Sequence, residues 1–289
     1  MLNKIILGAA QLGMNYGINN YGPLNKKKVF EILDFAVSNG INMIDTAEVY
    51  GNSLELIGKY IKQSPKSNLK IISKLNTGLD LKDLNLNNHI QSQLNLAGID
   101  SFHGYMFHDY MSFIDNHDLF DQIIDLKDYG IIKNIGISVY ETKSIIDIVK
   151  NHKFDFIQIP FNLLDNDKEK IEILKIANEK KIEIHVRSVF LQGLFFKPFV
   201  EYSKNLEPLK KYMKRLNEIS LESKIDIEYL ALKYTLKKDY INKVIFGVHN
   251  LQQFSKNIKI INSDISIPDD QIEEIIVKEK DLLKPYNWK

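Results

Sequence analysis

Short apolar runs alternate with longer amphipathic stretches along most of the chain, and this alternation limits the fold more than any other feature of the sequence. A short apolar run suits a buried strand, and apolar residues spaced three or four positions apart suit one face of a helix. Alternating strands and helices form parallel sheets, because each helix carries the chain back to the start of the next strand. We predict strands over residues 4–7, 42–45, 70–74, 104–108, 134–138, 156–160, 183–188 and 243–246.

The segment 26–38 shows the helical pattern, since Val29, Ile32, Leu33 and Ala36 fall on one face. Eight strand–helix units within 289 residues predict an α/β fold, a single (β/α)8 TIM-barrel domain over residues 1–289. A doubly wound open sheet is the alternative, because periodicity does not reveal whether a sheet closes, although no G-x-G-x-x-G motif follows the first strand. The other predicted helices cover residues 53–62, 116–129, 141–150, 168–180, 206–222, 226–236 and 251–261.

The composition argues against several classes of site and partner. The chain has no cysteine, which excludes disulfides and thiolate metal sites, and its seven histidines form no H-x-x-x-H or H-E-x-x-H pair, so we expect no metal. A net charge of +1 gives no reason to expect a nucleic acid or a membrane as partner. No segment approaches the roughly 20 apolar residues that span a bilayer, and the opening is too short for a signal peptide. We expect a cytoplasmic protein, a monomer or a weak homo-oligomer.

Four polar residues lie at or just beyond the C-terminal ends of predicted strands. Asp45, Lys74 and His108 each end a strand, and Tyr50 follows Asp45 by five residues. In a parallel barrel these strand ends meet at one face, so the four side chains approach one another. A lysine ammonium near a phenol lowers the pKa of that phenol, and a carboxylate keeps the lysine charged. The set therefore predicts a proton-donating site.

These residues have the order and placement of the catalytic tetrad of aldo-keto reductases, and the chain resembles that family from about residue 5 to residue 261. The resemblance implies reduction of a small aldehyde or ketone by hydride from NADPH, with NADH as the alternative cofactor. It implies that Tyr50 donates the proton, that Lys74 lowers the pKa of Tyr50, and that Asp45 orients Lys74. His108 would donate a hydrogen bond to the substrate oxygen or relay a proton.

The same resemblance implies a set of cofactor-binding residues at the later strands. Ser138 and Gln158 would contact the nicotinamide carboxamide, and Arg187 would stack on the ring where many members carry an aromatic residue. The loop after Arg187 would contact the pyrophosphate, and the segment after the last strand would hold the adenosine 2′-phosphate. The remaining expected contacts are Ser188, Phe190, Gly193, Gly247, His249, Gln253, Lys256 and Asn257.

Two other functions remain open at this stage. The first is a non-catalytic nicotinamide-binding sensor or regulatory protein, since some relatives bind cofactor without turnover. The second is a Schiff-base lyase that uses Lys74 as nucleophile. The polar, glycine-rich stretch 10–17 favours a sugar-like carbonyl substrate. Only about four residues precede the first strand, so we expect the N-terminal hairpin of many members to be short or absent.

Overall fold

The computed structural model describes residues 1–18, 22–81 and 84–288. Eight parallel strands form a closed barrel in sequence order, and the first strand pairs with both the second and the eighth. The predicted TIM barrel is confirmed, and the open-sheet alternative is wrong. The strands are β1 (Ile5–Gly8), β2 (Met43–Asp45), β3 (Lys70–Lys74), β4 (Gly104–Phe107), β5 (Ile135–Ser138), β6 (Phe156–Pro160), β7 (Glu183–Arg187) and β8 (Lys243–Phe246).

Helices surround this barrel and cover its outer face. Each presents an apolar stripe inward, as a helix on a sheet must. The α helices of the described residues are α1 (Ala10–Gly13), α2 (Lys26–Ser38), α3 (Ser53–Gln63), α4 (Leu86–Ala97), α5 (Tyr110–Asp115), α6 (Asp118–Asp128), α7 (Thr142–Asn151), α8 (Lys168–Glu179), α9 (Lys210–Ser223), α10 (Ile227–Leu236), α11 (Leu251–Asn262) and α12 (Asp269–Glu273).

The helices differ from the predictions in several places, and the short helices α1 and α12 were not predicted. Helix α4 was not predicted, because its sequence is rich in Asn, Gln and Ser. It forms because Asn85 caps its first turn and Leu86, Ile90 and Leu94 bury one face. The predicted helix 116–129 is confirmed as α6, and the short helix α5 before it was not predicted. The predicted helix 206–222 opens as a 3-10 segment that contains Pro208, since proline lacks the amide hydrogen of a regular helix.

Inside the barrel, apolar and polar side chains lie in successive layers. Six residues form a small core of their own there: Ile6, Met43, Ile72, Met106, Phe156 and Ile245. The large ring of Phe156 fits because Gly136 faces it, and a Cβ at Gly136 would lie 2.3 Å from that ring. Side chains two residues further along a strand point the same way. The next layer toward the C-terminal face therefore contains Asp45, Lys74 and Gln158.

At the N-terminal face of the barrel, the 3-10 segment Leu2–Lys4 directly precedes β1. Among the described residues no strand precedes β1. Lys4 fastens this start to the barrel, because its Nζ donates to the carbonyl oxygen of Ile241 at 2.8 Å. No helix within residues 1–18, 22–81 and 84–288 combines the length and the apolar character needed to cross a membrane.

Candidate active site

A buried ion pair forms the floor of the C-terminal face. Lys74 Nζ lies 2.6 Å from Asp45 Oδ2 and donates to the Thr46 carbonyl oxygen at 2.9 Å. Gln158 reaches across the barrel and donates from Nε2 to Asp45 Oδ1 at 2.7 Å. A buried pair survives only when additional hydrogen bonds satisfy both charges, and here they do. The predicted pairing of Asp45 with Lys74 is confirmed.

Tyr50 and His108 stand over this floor. Tyr50 lies on the loop between β2 and α3, which a 2.5 Å hydrogen bond between the Thr46 and Ser53 hydroxyls closes. Lys74 Nζ lies 5.1 Å from the centroid of the Tyr50 ring. The rings of Tyr50 and His108 meet edge to face, with 6.1 Å between their centroids. The structure thus brings the four residues of the expected tetrad together.

Burial shifts the pKa values of Tyr50, Lys74 and His108, and the shift of Tyr50 is opposite to the expected one. Burial, followed by the Asp45 carboxylate, raises the pKa of Tyr50 above its ordinary value, and the Arg187 guanidinium opposes this shift. Against the expectation for a phenol beside Lys74, the pKa of Tyr50 thus lies above its ordinary value, because burial and the Asp45 carboxylate raise it. Burial also lowers the pKa of Lys74, against the attraction of Asp45. Burial, with the charges of Lys74 and Arg187, lowers the pKa of His108 to about 4.

Arg187, at the end of β7, is the second cation of the site. Its Nη2 donates to Ser138 Oγ at 3.2 Å, and its Cζ lies 4.2 Å from the centroid of the Tyr140 ring. Burial would lower the pKa of Arg187, but the neighbouring phenols of Tyr140, Tyr16 and Tyr50 raise it overall. The guanidinium therefore remains charged.

A cavity of about 390 Å³ opens above these residues and runs to the first turn of α11. Its walls come from the segment after β1, the loop after β7 and the loop after β8. Lys74, His108, Ser138 and Gln158 do not line it; Lys74 and Gln158 bind Asp45 from behind. The expected site residues that line the cavity are Asp45, Tyr50, Arg187, Ser188, Phe190, Gly193, Gly247, His249, Gln253, Lys256 and Asn257.

The loop after β7 has an unusual backbone. Ser188, Leu191 and Gln192 adopt positive φ angles of 60°, 45° and 53°, which cost non-glycine residues about 1–2 kcal/mol each. The N-terminal segment holds this loop in place. Ile18 N donates to the Gln192 carbonyl oxygen at 3.0 Å, and Gln192 Nε2 donates to the Tyr16 hydroxyl at 3.1 Å. Strained, well-anchored backbone of this kind is typical of ligand-binding loops.

The outer end of the cavity carries the residues expected at the 2′-phosphate. Gln253 Oε1 accepts from the His249 backbone amide at 2.9 Å, so this side chain already stabilises the start of α11. Burial lowers the pKa of His249, which keeps its imidazole neutral at pH 7. Lys256 forms an ion pair with Glu228 of α10, which also lines the cavity. A Cβ at Gly247 would lie 1.9 Å from Gln11 Oε1, so a larger residue there would require the Gln11 amide to move.

Several lining residues were absent from the expected site set, among them Tyr16, Glu228 and Gln192. Tyr16 lies in the polar, glycine-rich stretch after β1, and the composition of that stretch already suggested contact with a substrate. Glu228 carries no such signal, because an acidic residue in the first turn of a helix is common. Gln192 was noted only as part of a family-like loop.

The buried layer beneath the cavity can be tested for fit to a nicotinamide cofactor. Gln158 is fully buried and its Nε2 donates to Asp45. Its Oε1 has no hydrogen-bond partner among the described residues. A buried acceptor without a donor is rare in folded proteins. A carboxamide supplies the missing donor, and Ser138, the Cα partner of Gln158 in the neighbouring strand, can donate its hydroxyl to the same group. The residues fit a nicotinamide.

The amino-acid sequence matches the aldo/keto reductase family model over residues 4–279. The chain belongs to the aldo/keto reductase family. Members of this family are oxidoreductases that generally use nicotinamide cofactors and act on small carbonyl substrates. The resemblance stated from the strand-end residues is confirmed.

Individual relatives are distant. The uncharacterized oxidoreductase YqkF of Bacillus subtilis (strain 168) is 25% identical over 285 residues, covering 91% of this chain and 88% of the relative. Aldo-keto reductase YhdN of the same organism is 24% identical over 270 residues, with 83% and 81% covered. The holo form of aldo-keto reductase AKR11C1 from Bacillus halodurans superposes with a TM-score of 0.75 at 19% identity, covering 96% of this chain and 94% of that chain. This likeness shows the shared fold alone.

Proposed function

We propose that this aldo/keto reductase uses NAD(P)H to reduce a small aldehyde or ketone, reversibly, and that residues 1–289 act as one domain. The observation that carries the proposal is the buried Gln158 Oε1 without a donor, on the side chain that hydrogen-bonds Asp45 beneath the cavity that Tyr50 lines. A group that can accept from a carboxamide therefore lies beneath the cavity whose wall carries the proton donor. Gln11 and Tyr16 add polar side chains to its wall, which supports a polar, sugar-like substrate.

Tyr50 is the proposed proton donor. When bound, the cofactor supplies hydride to the carbonyl carbon, and the carbonyl oxygen then needs a proton. The raised pKa of Tyr50 keeps its phenol protonated at neutral pH, so the proton is present before the reaction begins. As the phenol releases this proton, Lys74 and Arg187 stabilise the phenolate that forms. Asp45 holds Lys74 in position through the 2.6 Å ion pair.

His108 has a different proposed role, because its pKa of about 4 leaves the imidazole neutral at pH 7. A neutral imidazole can donate one hydrogen bond to the carbonyl oxygen but is a poor source of a full proton. This favours Tyr50 over His108 as the general acid. His108 would polarise the carbonyl group and orient it above Tyr50.

For the cofactor we propose NADPH with only a modest preference over NADH. Lys256 is the one cation expected to contact a 2′-phosphate, and Glu228 already binds it. His249 adds no charge at pH 7, because burial lowers its pKa. Gln253 can still donate from Nε2, and the amides at the start of α11 favour an anion. A phosphate must therefore share Lys256 with a carboxylate.

The proposal is tested by binding and turnover together. Dissociation constants for NADPH and NADH, followed by initial rates with a panel of aldehydes and sugar-like carbonyls, are compared for the wild type and Tyr50→Phe. Cofactor binding with turnover that depends on Tyr50 supports the proposal. Binding without turnover would identify a sensor. Borohydride trapping of a carbonyl compound on Lys74 would identify a lyase, although Lys74 lies outside the cavity lining and its ammonium is bound by Asp45 and Thr46.

A further inference from the structure

The charges that line the cavity are unevenly compensated. Asp45 is paired with Lys74, and Glu228 is paired with Lys256. Arg187 forms no ion pair with any Asp or Glu of residues 1–18, 22–81 and 84–288. A guanidinium carries a full positive charge at every working pH, so the inner end of the cavity has one uncompensated positive charge.

The surroundings of Arg187 do not neutralise this charge. Ser138 Oγ accepts one of its N–H groups, and the face of the Tyr140 ring lies under the guanidinium. Tyr16 and Tyr50 are protonated phenols, since burial raises the pKa of each. Neutral hydroxyls and an aromatic face solvate a cation but leave its net charge in place.

The uncompensated charge lies where the nicotinamide is expected under the proposed function, on which this inference rests. Gln158 Oε1 and Ser138 Oγ are the groups that fit a carboxamide, and Arg187 donates to the same Ser138 Oγ. Pro160 lies two residues beyond Gln158 on β6, and its Cα partner on β7 is Arg187. A ring whose carboxamide is held by Ser138 and Gln158 is therefore adjacent to the guanidinium.

We infer that Arg187 makes the site discriminate between the redox forms of its cofactor, so that NAD(P)H binds more tightly than NAD(P)⁺. The oxidised nicotinamide ring is a cation and the reduced ring is neutral, while the ribose, pyrophosphate and adenosine are the same in both. Only the oxidised ring is repelled by Arg187. The discrimination is independent of the 2′-phosphate and of Lys256.

The expected size follows from Coulomb's law. Two unit charges a few ångströms apart near a protein surface interact strongly, but the ring charge is delocalised and the cavity is open to solvent. We expect a preference on the order of ten- to a hundredfold for the reduced form. By linkage, a tenfold preference raises the two-electron reduction potential of the bound cofactor by about 30 mV. The protein then captures the reduced form from a mixed pool and releases the oxidised form readily.

The test measures four dissociation constants for each protein, for NADPH, NADP⁺, NADH and NAD⁺, by calorimetry at pH 7 and constant ionic strength. Arg187→Met removes the charge, Arg187→Gln removes the charge but can still donate to Ser138, and Arg187→Lys retains the charge. Arg215→Met is the matched control, because Arg215 is the only other arginine and lies on the exposed face of α9, paired with Glu218. Circular dichroism confirms that each variant folds.

We expect the wild type and Arg215→Met to prefer the reduced form by tenfold or more, for both the phosphorylated and the unphosphorylated pair. Arg187→Met and Arg187→Gln should reduce that ratio to within about twofold of one, and Arg187→Lys should retain most of it. Equal affinities of the wild type for both redox forms, or a ratio that both neutral variants leave unchanged, would overturn the inference while the proposed function stands. Failure of the wild type to bind any of the four cofactors would overturn the proposed function itself.

Discussion

Replacement of Glu228 by glutamine should increase the preference for NADPH over NADH. Glu228 and Lys256 form an ion pair at the outer end of the cavity, and their side chains are 16% and 48% exposed. The carboxylate acts against a 2′-phosphate in two ways, because it occupies the one expected cation and it repels the phosphate charge. Glutamine keeps the size of the side chain and removes both effects.

The magnitude follows from the exposure of the pair. Lys256 is half exposed, so the ion pair that a phosphate must replace contributes no more than about 1 kcal/mol. Repulsion between Glu228 and a phosphate across this open end adds a similar amount, about 1 kcal/mol at most. A total of about 1–2 kcal/mol corresponds to a gain of roughly 5- to 30-fold in the ratio of NADPH to NADH affinity.

Fluorescence titration of the reduced cofactors measures both dissociation constants for the wild type, Glu228→Gln and Lys256→Met. Lys256→Met should shrink the preference, and the double variant should exceed Lys256→Met only by the loss of the Glu228 repulsion, about fivefold at most. Glu222→Gln is a suitable control, since this acid lies on the exposed face of α9 near Arg215. If Glu228→Gln leaves the affinity ratio within twofold of the wild type, the ion pair does not influence the choice of cofactor and this reasoning is refuted.

Three further predictions concern the floor of the site. Tyr50→Phe should lower kcat by about 10²-fold or more at unchanged cofactor affinity, because a general acid contributes about 10²–10⁴; retention of half the wild-type kcat would reject Tyr50 as the acid. Lys74→Met should abolish activity and also lower the free energy of unfolding in urea by about 3 kcal/mol, since it leaves the Asp45 carboxylate buried without its partner; a variant as stable as the wild type would contradict this. The pKa of His108 falls from 6.5 to about 4 on folding, so the unfolded chain binds more protons between those pH values and stability decreases as the pH falls through that window. His108→Gln should therefore lose less stability than the wild type between pH 7 and pH 5, and equal losses in urea unfolding would show that His108 does not titrate in this way.

The fold could be predicted from the sequence because its signal is local. Strands β3, β6 and β8 have the predicted bounds, β1 is shifted by one residue, and the other four differ by one residue at one end. Each strand is a short apolar run whose residues are buried on both faces, and that pattern can be read without knowing any neighbour. Helix α4 escaped prediction because its apolar residues are few, and packing on the barrel stabilises it more than its own composition does.

The expected tetrad could be assembled from the sequence for a related reason. Parallel strands of a barrel end at one face, so a polar residue at the C-terminal end of an apolar run lies at that face. That argument predicted the pairing of Asp45 with Lys74, which the 2.6 Å distance confirms. It did not predict the hydrogen bond from Gln158 to Asp45, which joins residues 113 positions apart across the barrel.

The amino-acid sequence by itself therefore determined the barrel, the family and the set of polar residues at its C-terminal face, because strand period and strand ends are local properties. Only the tertiary structure decided the charges of those residues. The pKa of Tyr50 depends on how far water is excluded, and Lys256 is neutralised by a carboxylate on a different helix. Arg187 is uncompensated because of which side chains fold around it, and no pattern along the chain specifies that.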